Sequence, residues 1–204
     1  PYRRQRQMCI RDRDTTIDGA SHIISGSNSK DVRLFAVNKG TLTLKNIIIT
    51  DLNYNADDKG IIYQNGGNLV LDNVTFQNSG YKSLIWADGG SLTVTNSYFV
   101  NNSGRWGGAL SVMGGESSSA TNFIDIDGTK FVNNSALYGG AMFVWGSNYS
   151  ISNSVFDNNS AFGKGNMTPN NNNGGALVVT QGNIPISGTI INSNFTNNKL
   201  SLIH

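Results

Sequence analysis

The sequence predicts an all-β fold, a right-handed single-stranded parallel β-helix of about six or seven rungs. Three observations predict it: a phrase recurs along the chain, its segments alternate apolar and polar residues, and Asn and Gly separate those segments. The shortest interval between copies is 23 residues, which is too short for a pair of helices. Alternation with period two is typical of strands, so each unit fits one coil of three short strands.

The first phrase is a short alternating strand, a small polar pair, a Phe and then Asn-Asn. Its clearest copies run over 92–103, 124–135 and 149–160, with further copies at 69–79, 42–50 and 190–198. The Phe place is occupied in turn by Ile49, Phe76, Phe99, Phe131, Phe156 and Phe195. The longer intervals carry polar inserts at 116–120 and 163–173, which predict loops between rungs.

The Asn pairs predict the corners of the coil. Asn tolerates the left-handed conformation that a sharp turn needs, and stacked Asn side chains can pass hydrogen bonds from rung to rung. We expect such a ladder at Asn102, Asn134, Asn159 and Asn198, with each preceding Phe filling the core beneath the corner.

A second phrase, Gly-Gly-Ala followed by an apolar residue, opens another strand in each of the later units. The glycine pairs are Gly107 and Gly108, Gly139 and Gly140, and Gly174 and Gly175. Glycine permits backbone conformations that a side chain would block. Residues expected to point into the core are Leu42, Leu44, Leu69, Leu71, Leu92, Val94, Ile124, Ile126 and Ile151. Thr43, Thr93, Thr95, Ser150 and Ser152 are expected to face solvent.

The two ends break the pattern. Five of the fifteen basic residues and the only Cys lie within residues 1–13, and residues 200–204 read Leu-Ser-Leu-Ile-His. Residues 8–12 and 200–204 can be encoded by opposite strands of one short DNA element, which resembles the transposon end used to prepare sequencing libraries. Residues 1–13 and 200–204 are therefore expected to be non-native, and 14–199 an internal piece of a larger protein. That piece carries ten Lys and Arg against twelve Asp and Glu, so the formal +2 and the basic pI of the whole chain come from the ends.

The alternation of Phe-x-x-Asn with Gly-Gly-Ala resembles the polymorphic outer-membrane protein repeats of chlamydiae. Because the repeat segment is rich in Asn and contains no Cys, it looks still more like the adhesin-like surface proteins of methanogenic archaea. Residues 16–19 and 23–26 also look like the opening rung of β-helix domains in those proteins. The resemblance implies an extracellular, cell-surface protein, and it is weaker over residues 30–64, which lack both Asn-Asn and Gly-Gly-Ala.

Candidate catalytic groups are few, and we predict no catalytic residue, no metal site and no cofactor. Asp125 and Asp127 share a strand face roughly 7 Å apart, a separation compatible with glycoside hydrolysis, but other units place Thr or Ser there. Asp57 and Asp58 could hold Ca²⁺, with a solvated loop as the alternative. His22 is the one His of the 14–199 segment and has no triad partner in sequence. Without a basic patch no nucleic-acid partner is expected, and no apolar run reaches the roughly 18 residues of a membrane span.

Aromatic residues are the stronger binding candidates. Trp106 and Tyr138 precede Gly-Gly pairs and Trp145 precedes a turn, so these three could stack on sugar rings or pack at corners. Tyr63 and Trp86 occupy equivalent places 23 residues apart, where packing is the favoured interpretation.

The sequence therefore predicts a fragment of a cell-surface adhesin-like protein that contacts glycans or proteins of other cells, with specificity carried by loops 114–121 and 163–173. One alternative is the non-catalytic part of a β-helix polysaccharide lyase or hydrolase. Another is a purely structural stalk. Asn-x-Ser/Thr triplets leave glycosylation open, although several of them arise simply because the repeated corner phrase is Asn-Asn-Ser.

Overall fold

The computed structural model describes residues 8–10, 13–26, 31–57, 59–114, 123–163, 174–182 and 185–200. Within these ranges the chain forms strands and turns and contains no helix, and every pairing between two of its strands is parallel. The all-β prediction with parallel sheets is confirmed. No helix in the described ranges is long and apolar enough to cross a membrane.

The strands, numbered in chain order, belong to three sheets. The seven-stranded sheet contains β1 (Met8–Ile10), β4 (Phe35–Val37), β7 (Ile62–Asn65), β10 (Ile85–Asp88), β14 (Leu110–Met113), β18 (Met142–Trp145) and β22 (Leu177–Thr180). The twelve-stranded sheet contains β2 (Thr15–Asp18), β3 (Ile23–Ser25), β5 (Thr41–Thr50), β8 (Asn68–Gln77), β11 (Ser91–Thr95), β12 (Tyr98–Val100), β15 (Phe123–Asp127), β16 (Lys130–Val132), β19 (Asn148–Ser152), β20 (Val155–Asp157), β23 (Gly188–Ile191) and β24 (Asn194–Thr196). The six-stranded sheet contains β6 (Asn53–Tyr54), β9 (Gly80–Tyr81), β13 (Ser103–Trp106), β17 (Ser135–Tyr138), β21 (Ser160–Ala161) and β25 (Lys199–Leu200).

The chain contributes strands to the three sheets in turn. From β10 in the seven-stranded sheet it runs through β11 and β12 in the twelve-stranded sheet, then β13 in the six-stranded sheet, and returns through β14. We call one such circuit a pass. Each strand pairs with its counterparts in adjacent passes, and within the described residues no two strands that are consecutive in the chain pair with each other.

The register between passes follows the Phe places of the sequence. Phe76 pairs with both Ile49 and Phe99, and the column continues through Phe131 and Phe156 to Phe195. Consecutive rings from Phe76 to Phe195 stack with centroids 4.5–5.3 Å apart. Rings at one place in successive parallel strands must lie over one another, so a single Phe in the phrase produces a continuous aromatic stack.

The core lies on the inner faces of the sheets. Along β11 the side chains alternate between buried Leu92 and Val94 and partly exposed Thr93 and Thr95. The nine residues predicted to point inward from the first phrase are all buried. Because successive side chains of a strand point to opposite faces, alternation of apolar and polar residues with a period of two separates the core from the surface.

The corners hold most of the positive-φ residues. The first Asn of each corner pair is left-handed, as at Asn101, Asn133 and Asn158, with φ of 52–55°. The second Gly of each Gly-Gly pair has a different constraint. A Cβ on Gly140 would lie 2.0 Å from the carbonyl oxygen of Gly175, so the backbones of adjacent passes touch there.

The predicted end segments extend the sheets where they are described. β1 pairs with β4, and β25 pairs with β21. Residues 115–122 and 164–173 lie outside the described residues, and with them most of the two loops expected to carry specificity.

Candidate aromatic binding surface

A second apolar cluster lies on the outer face of the seven-stranded sheet, separate from the main core. We call it the aromatic patch. Its members are Trp86, Trp106, Met113, Tyr138, Phe143, Trp145 and Val178. Met113, Phe143 and Val178 are buried, whereas the three Trp and Tyr138 are partly exposed.

Strand alternation places most of the patch. On β18, Met142 and Val144 point into the core, so Phe143 and Trp145 point outward. Phe143 is in register with Val178 of the next pass, and Trp145 is in register with Met113 of the preceding pass. Ser111 and Thr180 also lie on this outward face, as register partners of Phe143 and Trp145. The face is nevertheless largely apolar, whereas a sheet face open to water ordinarily presents polar residues.

Trp106 and Tyr138 reach the same patch from another sheet. They are register partners at the ends of β13 and β17, just before the glycine pairs that lead into β14 and β18. Their rings stack with centroids 4.7 Å apart and planes 21° apart. The Trp106 ring also meets the Phe143 ring at 5.0 Å and a 58° tilt, which joins the corner to the sheet.

Polar groups border this aromatic surface. The guanidinium of Arg105 lies 5.6 Å from the Trp106 ring centroid. The Ser111 hydroxyl donates to the Trp106 carbonyl and exchanges a hydrogen bond with Ser83, which anchors the corner to the sheet. The indole N–H of Trp86 is buried and has no hydrogen-bond partner among the described residues.

The structure thus brings together Trp106, Tyr138 and Trp145, the three residues singled out for sugar contact, and adds Trp86 to them. They are neither fully exposed nor fully buried, so each packs on one side and presents another side to solvent. Phe143 and Met113 join them although no sequence signal marked them, because their outward direction depends on which face the core occupies.

Tyr63 lies in a different environment. It is nearly buried, and its ring is 5.4 Å from the Arg33 guanidinium and 4.7 Å from the Lys59 ammonium. Arg33 also lies 4.6 Å from the Tyr54 ring and pairs with Asp57 at 2.5 Å. Desolvation raises the pKa of the Tyr54 hydroxyl. These contacts place Tyr63 in a packed cation–aromatic cluster.

The same cluster bears on the calcium hypothesis. Asp57 accepts hydrogen bonds from Arg33 at 2.5 Å and from the Lys59 backbone at 2.8 Å. Desolvation is the largest single influence and raises the Asp57 pKa, but the hydrogen bonds from Arg33, the Lys59 backbone and Tyr54, together with the Arg33 charge, lower it by more, so the pKa lies below its usual value. Asp58 lies outside the described residues. Within the described ranges no group of three or more His, Cys, Asp or Glu could hold a metal ion.

Asp127, one of the two candidate acids on β15, accepts hydrogen bonds from the next pass, from Ser152 at 2.6 Å and from Asn153 at 2.7 Å. Asp157, which was not a sequence candidate, accepts in the same way from Thr196 at 2.7 Å and from Asn197 at 2.9 Å. Asp125 shares its strand face with Asp127 and is in register with Thr93 and Ser150. His22 is exposed, and its ring contacts the nearby Gly19 carbonyl at 2.8 Å.

The second Asn of each corner pair forms a buried ladder. Asn102 donates from Nδ2 to Oδ1 of Asn134 at 3.1 Å, Asn134 donates to Asn159 at 3.0 Å, and Asn159 donates to Asn198 at 3.0 Å. Each Nδ2 also donates to the carbonyl of a Phe in the preceding pass, as Asn134 does to Phe99 at 3.0 Å. Because these hydrogen bonds satisfy the buried side-chain amides, the amides rigidify the corner.

One buried polar residue carried no sequence signal. Gln64 is fully buried, and its Nε2 lies 2.6–3.0 Å from the carbonyls of Gly67, Gly89 and Ser91. It occupies an inward place that its register partner Val37 fills in the preceding pass. Gln64 thereby links two Gly-Gly turns of adjacent passes.

Comparisons with known proteins add no family assignment. No protein-family model, no curated protein and no solved structure matches the chain.

Proposed function

We propose that the chain is a segment of a right-handed single-stranded parallel β-helix from an adhesin-like cell-surface protein, and that its aromatic patch contacts glycans. The observation that carries the proposal is the Trp106–Tyr138 stack, partly exposed at the margin of an outward apolar sheet face. The resemblance of the repeats to adhesin-like surface proteins supports the same assignment. In this proposal the chain binds and catalyses no reaction.

The chemistry of the patch suits a sugar. The C–H face of a pyranose ring is apolar and packs on an aromatic plane, while its hydroxyls need polar partners at the rim. Trp106 and Tyr138 supply the plane, and Arg105 lies beside it. Trp145 is one corner turn away on the same outward face, so a second ring of an oligosaccharide has a further aromatic contact.

The test is a glycan array probed with the chain and two variants. Trp106→Ala removes the aromatic plane, and Tyr98→Ala removes an exposed aromatic ring from β12, outside the patch. We expect Trp106→Ala to lose about 1–3 kcal/mol of binding free energy, a roughly 5- to 150-fold loss of affinity, and Tyr98→Ala to bind like the parent. Equal glycan binding by Trp106→Ala and the parent would contradict the proposal.

The second candidate is a structural stalk, and the unbroken Asn ladder favours it. Four successive passes are joined by side-chain hydrogen bonds, two of them buried and the last partly buried, in addition to backbone pairing. Such a segment is suited to holding other parts of a protein at a distance. The array separates the two candidates, because a stalk gives no patch-dependent binding to any glycan.

A further inference from the structure

Three cations that are widely spaced in the sequence lie at one corner of the fold, so a small basic surface exists where the sequence predicts none. Lys59, Lys82 and Arg105 recur at intervals of 23 residues, each shortly before a strand of the seven-stranded sheet. The Arg105 backbone N–H donates to the Lys82 carbonyl at 2.6 Å, which places these two residues on adjacent passes. Two residues beyond the lysines, the Ile61 N–H donates to the Leu84 carbonyl at 3.0 Å, so Lys59 lies one pass before Lys82. We call the three cations the basic strip.

The basic strip borders aromatic rings at both of its ends. The guanidinium of Arg105 lies 5.6 Å from the Trp106 ring centroid. The Lys59 ammonium lies 4.7 Å from the Tyr63 ring centroid, and Tyr63 precedes Trp86 in the outward row of the seven-stranded sheet. Arg105 and Lys59 are exposed and Lys82 is half-buried. The cations therefore lie along the margin of the aromatic patch.

The charge of this corner is opposite to that of the segment as a whole. Residues 14–199 carry ten Lys and Arg against twelve Asp and Glu. The described acids closest to the basic strip in sequence are Asp57 and Asp88. Asp57 is paired with a fourth cation, Arg33, at 2.5 Å, and Asp88 lies at the end of β10 that is farther from the corner. The basic strip thus gives one margin of the patch a positive charge.

We propose that the basic strip and the Trp106–Tyr138 stack together bind an acidic polysaccharide, whose sugars carry carboxylate or sulfate groups. This inference rests on the proposed glycan contact and narrows its ligand class. A sugar ring packs on the Trp106 ring, and its acidic group accepts hydrogen bonds from Arg105, whose planar guanidinium presents donors in a fork. Adjacent passes are about 4.8 Å apart, so Lys82 and Lys59 meet acidic groups further along the same polysaccharide.

A single-stranded nucleic acid also combines negative charge with flat rings. Nucleic-acid binding draws most of its affinity from many phosphate contacts, and the basic strip supplies only three cations. A carboxylated or sulfated sugar needs fewer, because each acidic group is recognised together with the apolar face of its own ring. The three cations beside one aromatic stack therefore favour the acidic sugar.

The test titrates the full chain with three oligosaccharides of equal length. Oligogalacturonate carries a carboxylate on every ring, its fully methyl-esterified form is neutral, and a sulfated dextran fragment carries sulfate. We expect at least one acidic fragment to bind about tenfold or more tightly than the ester, which supports the inference and identifies the acidic group. The preference should shrink as NaCl rises from about 50 mM to about 500 mM, because salt screens exposed charge pairs.

Variants assign the preference to the basic strip. Lys82→Gln combined with Arg105→Gln removes two charges and should weaken binding of the acidic fragment about tenfold, while binding of the ester changes less than about twofold. Unchanged ester binding also shows that this variant is folded. The matched control is Lys130→Gln, which removes an exposed cation from β16 of the twelve-stranded sheet and should leave the binding of both fragments unchanged.

Four outcomes would overturn this inference. Equal binding of acid and ester, with both lost in Trp106→Ala, would overturn it and leave the proposed glycan contact intact. An equal loss of acid binding in Lys130→Gln and in the double variant would mark the preference as an effect of net charge. A short oligothymidylate that binds more tightly than every acidic fragment would make nucleic acid the ligand. Acid binding that Trp106→Ala leaves unchanged would overturn the inference and the proposed glycan contact together.

Discussion

One oxygen of Asn159 accepts two hydrogen bonds from Asn134, from Nδ2 at 3.0 Å and from the backbone N–H at 2.9 Å. The pair is fully buried, and 25 residues separate its members in sequence. A single side chain therefore satisfies the corner of the preceding pass. Asn102, Asn134 and Asn159 each donate to the next pass and accept from the preceding one.

Removing one ladder member should destabilise the fold strongly. Asn134→Ala leaves the donors of Asn102 and the carbonyl of Phe99 without their partner in a buried site. Each unsatisfied buried group costs about 1–3 kcal/mol, so we expect a loss of roughly 3 kcal/mol in unfolding free energy. The control is Asn133→Gly, since Asn133 is exposed with φ of 55° and Gly accepts that conformation. Urea unfolding of both variants gives the comparison, and an equal effect would show that the ladder contributes little.

The aromatic stack should matter through its burial. Phe131 lies between Phe99 and Phe156, with centroids at 5.0 and 4.6 Å, and is fully buried. Phe131→Ala should cost about 3–5 kcal/mol, because a cavity adds to the lost transfer free energy. Phe123→Ala removes a Phe that is 48% exposed on the neighbouring strand β15 and should cost about 1 kcal/mol or less. Chemical denaturation that ranks the two variants in the opposite order would contradict this stacking argument.

Two glycine substitutions should differ in sign. Gly128 has φ of 58° at a corner where the equivalent residues of neighbouring passes are Asn96 and Asn153, both left-handed. Gly128→Asn should therefore be neutral or stabilise by about 0.5 kcal/mol, since it restricts the unfolded chain. Gly140→Ala should cost roughly 3 kcal/mol or more, because its Cβ would meet the Gly175 carbonyl at 2.0 Å. Melting temperatures measured side by side check the contrast, and equal shifts would count against it.

Acid should weaken the contacts between passes. Hydrogen bonds from Ser152 and then Asn153 lower the pKa of Asp127, and bonds from Thr196 and then Asn197 lower the pKa of Asp157. A group whose folded pKa is depressed contributes stability above its unfolded pKa of about 3.9, and that contribution is lost as pH falls through the folded pKa. Stability should therefore decline below about pH 4.

The variant Asp127→Asn should flatten this acid dependence, because residue 127 then no longer titrates. Asp125→Asn, two residues away on the same strand face, is the matched control for a change of charge alone. Melting temperatures between about pH 2 and pH 6 give the readout. If Asp125→Asn flattens the curve as much as Asp127→Asn, the hydrogen bonds of Asp127 are not the cause.

Much of the strand register could be predicted from the sequence, because the Phe of each repeated phrase marks the residues that pair in successive passes. Phe76, Phe99 and Phe131 pair across passes even though the intervals between them differ, since the inserts fall between strands. The alternation of Leu92 and Val94 with Thr93 and Thr95 similarly indicated the buried face. Gln64 could not be found in this way. A polar residue in an apolar place has meaning only once the carbonyls of Gly67, Gly89 and Ser91 surround it.

The sequence by itself determined the strand class, the Phe column and the positions of the corners, because period, Gly and Asn act locally and every pass repeats them. Only the tertiary structure decided that Trp106 and Tyr138, from the six-stranded sheet, meet Phe143 and Trp145 on the outside of the seven-stranded sheet. The two sheets converge at the Gly-Gly corner, and the packing of backbone against backbone there sets which outward side chains touch. That convergence depends on how consecutive passes stack, which no single repeat encodes.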